Sequence, residues 1–90
     1  MTDQEISQNL AGSIQQRNQA LQALYRHTEY KPRLLAFLKS KGIEGAELNE
    51  LFNETLIKFS LIVKKGNYEE KGKMLGYLMS IANFLVLDFY

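Results

Sequence analysis

Glu50 and Glu54 stand four residues apart in a stretch patterned as helix, and paired carboxylates at that spacing can hold a cation or exchange protons. Neither chemistry is complete here. Glu44 and Glu47 lie just upstream, but no His or Asp stands at ligand spacing, and a lone glutamate pair is a weak metal motif. His27, the single histidine, sits beside Arg26 on a helix that already has an apolar face. It reads as a surface or boundary residue rather than a base or ligand. The absence of cysteine removes disulfides, thiolate nucleophiles and thiolate metal sites. Gly42, Gly45, Gly66, Gly72 and Gly76 match no phosphate-binding loop. Catalysis is not expected, and neither is a metal or cofactor.

What remains is surface chemistry. The 90 residues carry a formal net charge of only +1, but it is unevenly spread. Residues 44–54 hold Glu44, Glu47, Glu50 and Glu54 with no base, whereas residues 58–73 hold five lysines against Glu69 and Glu70. Helix-dipole matching, acids near an N-terminus and bases near a C-terminus, is one account of this separation.

The elements that carry these residues follow from hydrophobic periodicity. The length suits one domain, residues 1–90, and the pattern is all-α, a small helical bundle of about four helices. Thr2-Asp-Gln-Glu5 has the capping-box form and opens a short helix through Ile6 and Leu10. A second helix is expected from near Arg17, with Ala20, Leu21, Leu24, Tyr25 and Thr28 on one face. Pro32 should kink or break it at Lys31, before Leu34, Leu35, Phe37 and Leu38 continue. The third predicted helix runs from about Ala46 to Lys65 and ends at Lys64-Lys65-Gly66. After a polar loop, a fourth begins near Met74 with a core stripe of Leu78, Ile81, Ala82, Leu85 and Phe89. It stops at Tyr90 in mid-pattern, so further chain is expected beyond it. No alternating β pattern competes. Residues 1–9 are polar and carry Asp3 and Glu5, unlike a secretory leader. Residues 74–90 are interrupted by Gly76, Ser80, Asn83 and Asp88, and a membrane span needs about 20 apolar residues. A cytoplasmic location without a membrane partner is expected.

The third predicted helix has two faces. Leu48, Leu51, Phe52, Thr55, Leu56, Phe59, Ile62 and Val63 fall within an arc of about 140° and build a core face. Opposite them lie Glu50, Asn53, Glu54, Ile57 and Leu61, with Ile57 and Leu61 roughly 180° and 220° from Leu48. Single exposed aliphatics are common. A pair one turn apart, flanked by acids and an amide, has the character of a docking strip for a basic helix. The last helix is apolar nearly all round: Met79, Asn83, Phe84, Leu87 and Tyr90 lie off its stripe. Core packing is the plain explanation, and an aromatic surface for nucleobases is the other.

In order and spacing these pieces resemble region 2 of bacterial RNA polymerase sigma factors, particularly the extracytoplasmic-function group of the sigma-70 family. Leu24-Tyr25 and Pro32 sit as in that family's first helices. Glu50-Leu-Phe-Asn53-Glu54-Thr-Leu56 is similar to its Asp-x-x-Gln-Glu-x-Phe motif. Tyr77-Leu78-Met-Ser-Ile81-Ala82-Asn83, followed by Leu87-Asp88-Phe-Tyr90, is similar to its Trp-Leu-x-x-Ile-Ala-x-Asn and Asp-Tyr run. The resemblance spans nearly the whole chain. It implies that Glu50, Asn53, Glu54, Ile57 and Leu61 dock on the clamp helices of the largest subunit of core RNA polymerase. It also implies that the loop before the last helix captures a flipped base of the promoter −10 element in single-stranded form. Lys64, Lys65, Lys71 and Lys73 would steer the backbone, Tyr68 and Tyr77 would stack, and Asn67 or Asn83 would read an edge. Phe84 departs from the family's usual Asn, and residues 1–90 do not include the basic segment or the helix-turn-helix domain that reads the −35 element in that family. A near-neutral domain gains little from phosphates, so polymerase would have to deliver it to DNA. An anti-sigma factor would be a further partner. The rival reading is a helical adaptor with no nucleic-acid role.

Overall fold

The computed structural model describes residues 2–27, 29–68 and 73–89. Among them are five α-helices and no strand: α1 (Asp3–Leu10), α2 (Ile14–Tyr25), α3 (Tyr30–Ser40), α4 (Ala46–Lys64) and α5 (Met74–Phe89). The protein is all-α, and the second predicted helix is in fact two.

Local chemistry explains each boundary. In α1 the Thr2 hydroxyl accepts from the Glu5 N–H while the Glu5 carboxylate accepts from the Thr2 N–H, which closes the expected capping box. A second box opens α2: the Ser13 hydroxyl accepts from the Gln16 N–H, and Gln16 Oε1 accepts from the Ser13 N–H at 2.9 Å. The helix therefore starts at Ile14 and not near Arg17. α2 ends at Tyr25 and α3 begins at Tyr30, so the break falls upstream of Lys31. His27 turns back there, and its Nδ1 accepts from the N–H groups of Glu29 and Tyr30 at 3.1 and 3.2 Å. Two donors at the start of α3 are thereby satisfied, and the imidazole ring stacks on Tyr30 with centroids 3.9 Å apart. Pro32 falls in the first turn of α3, where a missing N–H removes little. Thr28 lies outside the described residues. Gly45 opens α4 at φ 64° and ψ −139°, and Gly66 follows its last turn at φ 75°, both conformations that side chains disfavour.

The core is organised around α4, which contacts each of the other four helices. Its inner face buries Leu51, Phe52, Thr55, Leu56, Phe59 and Val63, as the periodicity predicts. Ile6 and Leu10 of α1, Ala20 and Leu24 of α2, Leu34 and Leu38 of α3, and Leu78 and Ala82 of α5 pack with them in one cluster. Buried Thr55 donates its hydroxyl to the Leu51 carbonyl, so no polar group is stranded there. The Tyr30 hydroxyl donates to the Asp3 carboxylate and ties α3 to α1. Two positions expected in the core are not. Tyr25 is half exposed, with its ring against Phe52 at 5.8 Å and the Lys31 ammonium 3.9 Å from its centroid. Phe89 is half exposed, while Met74, Leu75 and Val86 are buried with Leu78, Ala82 and Leu85. Among the described residues no helix is long and apolar enough to cross a membrane.

Candidate functional site

The outer face of α4 is a ridge. Glu50, Asn53, Glu54, Ile57 and Leu61 are all exposed along it, Ile57 at 55% and Leu61 at 46%. One helix produces both faces: the 100° step that sends Phe52 and Phe59 inward sends Ile57 and Leu61 outward. The ridge acids Glu50 and Glu54 lie in its N-terminal half, beyond the first turn where the helix dipole acts, and Lys58, Lys64 and Lys65 are exposed along its C-terminal half.

A groove runs along each side of this ridge. Between α2 and α4, an open groove of about 640 Å³ is lined by Leu21, Tyr25, Arg26, Asn53 and Ile57 among others. Between α4 and α5, one of about 530 Å³ is lined by Lys58, Leu61, Lys65, Asn67, Tyr77 and Phe84 among others. Leu61, expected to meet protein, thus shares a groove with Lys65, Asn67 and Tyr77, expected to meet nucleic acid. The two surfaces are continuous, and the α4–α5 groove is where they join.

The remaining expected residues are more dispersed. Tyr68 and Tyr77 are half-buried and pack edge to face, 5.0 Å apart, with Phe59 beneath them at 5.1 and 5.8 Å. Their rings form an aromatic cluster that pins the segment after α4 to α5. Lys64, Lys65, Asn67 and Lys73 are exposed around it. Asn83 is half-buried on α5 and does not line the α4–α5 groove. Lys71 lies outside the described residues. At the opposite end of the ridge Glu47, Glu50 and Glu54 of α4 and Asp88 of α5 line a small acidic cleft. Among the described residues no cluster of His, Cys, Asp or Glu could hold a metal ion.

Four residues outside the expected site line the grooves. Lys58 sits in the basic run but also forms a wall of the α4–α5 groove, as does Phe84, which is 67% exposed. Tyr25 with Arg26 walls the other side. For Phe84 the signal is the apolar surplus of the last helix; Lys58, Tyr25 and Arg26 become groove walls only through the way α4 packs against α5 and α2. Comparison with protein-family models, with curated proteins and with solved structures finds no match.

Proposed function

We propose that the domain acts as a region 2-like sigma factor module. In this reading the α4 ridge docks on the clamp helices of the largest subunit of core RNA polymerase, in the cytoplasm. The complex then helps to recognise and melt the promoter −10 element. The observation that carries the proposal is the exposure, along one face of one helix, of all five residues of the motif-bearing strip: Glu50, Asn53, Glu54, Ile57 and Leu61. Acids at one end would pair with basic residues of a clamp helix, and the two aliphatics would bury a small apolar core within a polar rim.

The nucleic-acid half of the proposal uses the adjoining groove. Lys64, Lys65 and Lys73 would neutralise phosphates, together with Lys71. The exposed amide of Asn67 and the aromatic wall of Tyr77 and Phe84 offer an edge reader and apolar surface to an extruded base. A net charge of +1 gives weak free binding to duplex DNA, so the domain works once polymerase holds it in place. Nanomolar binding of the isolated domain to duplex DNA in physiological salt would refute this division of labour.

The test is capture on an immobilised fragment containing the polymerase clamp helices. Glu54→Lys combined with Ile57→Asp should abolish capture, and Lys65→Ala should leave it intact. If the wild-type domain is not captured, it is a helical adaptor for another partner, and its lysines are ordinary solubilising surface.

A further inference from the structure

The α4 ridge has a property that its proposed partner does not require: it is complementary to itself. Reading outward from the level of residues 59 and 60, Ile57 and Leu61 lie close to the midpoint. Glu54 and Glu50 lie on one side of it, and Lys64 and Lys65 on the other. The 100° step puts Glu54 and Lys65 within roughly 20° of each other around the helix. A two-fold axis perpendicular to α4 at that midpoint reverses the helix direction and keeps the same edge of the face. It carries Glu54 of one copy to Lys65 of the other, and Lys65 to Glu54. Ile57 and Leu61 of the two copies then meet at the centre, as a closed two-fold interface demands.

The geometry points to an antiparallel homodimer formed through α4, with a second copy of this chain as the occupant of the ridge. Three observations support that choice. Charge runs from acid to base along the ridge, so antiparallel packing alone brings opposite signs together at both ends, whereas parallel packing sets acid on acid. The apolar pair is central, and the flanking α2–α4 and α4–α5 grooves leave room for side chains of the other copy on either side. Glu54 and Lys65 are exposed, and neither is in an ion pair among the described residues, so both are available to a partner.

The area offered by one ridge is small, which places the association in the weak and reversible class. It also occupies Glu54, Ile57 and Leu61, so a dimer cannot present that strip to any other partner. Self-association does not depend on the polymerase reading. If both hold, the dimer is a masked form that dilution releases.

Sedimentation velocity on the full chain, from about 10 µM to about 1 mM and at low and high salt, tests the proposal. A concentration-dependent dimer that weakens with salt is expected. Glu54→Lys and Lys65→Glu should each weaken it roughly tenfold, because each puts like charges together at both ends. The diagnostic result is restoration. The Glu54→Lys/Lys65→Glu double variant should dimerise like the wild type, and an equimolar mixture of the two single variants should form a heterodimer tighter than either alone. A chain monomeric throughout that range, or a dimer insensitive to the single changes, overturns the proposal. So does a failure of the double variant to recover. Clamp-helix capture separates the two readings: Glu54→Lys should impair it, and adding Lys65→Glu should not restore it.

Discussion

Phe59 is the residue whose removal should do most damage, and its effect can be set against a phenylalanine only one groove away. Phe59 is fully buried and supports both Tyr68 and Tyr77, whereas Phe84 is 67% exposed on α5. Phe59→Ala forfeits the transfer free energy of a buried aromatic, leaves a cavity and removes two ring contacts, a cost of about 3–5 kcal/mol. A domain of this size has about 5–15 kcal/mol in all, so the change consumes a large share of the total. The melting temperature should fall by roughly 12 °C at the least. Phe84→Ala, the same chemical change without burial, should stay within about 0.5 kcal/mol. Urea unfolding at low micromolar concentration, with far-UV circular dichroism as the probe, measures both. A double-mutant cycle between Phe59→Leu and Tyr68→Leu should return a coupling of about 0.5–1.5 kcal/mol. Equal costs for the two alanine variants, or a Phe59→Ala cost below about 1 kcal/mol, would show that α4 is not the centre of the core.

Other outcomes follow from the boundaries and the buried polar contact. Ser13→Ala should destabilise by about 0.5–2 kcal/mol in the same unfolding assay, because it removes the cap of α2. Gly45→Ala should cost about 1–3 kcal/mol: its φ of 64° with ψ −139° is strained for any side chain, although a Cβ there meets nothing closer than 3.9 Å. Burial, followed by the hydrogen bond to Asp3 and its negative charge, pushes the Tyr30 hydroxyl above its ordinary pKa of 10.0. A raised value means that folding favours the neutral phenol. Its contribution is therefore whole below pH 10 and is lost as pH climbs above that value toward the folded one. Tyr30→Phe should flatten this alkaline loss in a series of denaturation curves between about pH 8 and 11.

Much of this was legible in the residues themselves. The expected span of α4, residues 46–65, differs from the observed Ala46–Lys64 by one residue, because a strict apolar arc and a Lys-Lys-Gly stop act together. The outward strip followed from the same arithmetic, which is why its five residues are all exposed. The break before α3 lies upstream of the position that Pro32 predicts. In the fold, proline is tolerated inside the first turn, and His27, through a side-chain contact that periodicity does not report, closes the helix start. The Ser13–Gln16 box escapes hydrophobic periodicity because the residue it introduces, Ile14, is 70% exposed and adds nothing to an apolar face. In α5 apolar residues surround the helix, so periodicity prefers no phase and the inward position it predicts for Phe89 does not hold. The sharing of one groove by Leu61, Lys65 and Tyr77 depends on how α4 crosses α5, which no single-helix pattern contains.

The contact of α4 with all four other helices has a consequence for the speed and cost of recognition. A surface helix held by one neighbour can fray, and a partner must then order it on arrival. Here the inward side chains of α4 hold its backbone rigid, so Glu50, Asn53, Glu54, Ile57 and Leu61 keep their spacing before anything arrives. The ridge is a preorganised ruler. Association through it loses only the freedom of a few exposed side chains, and encounter rather than folding sets its rate.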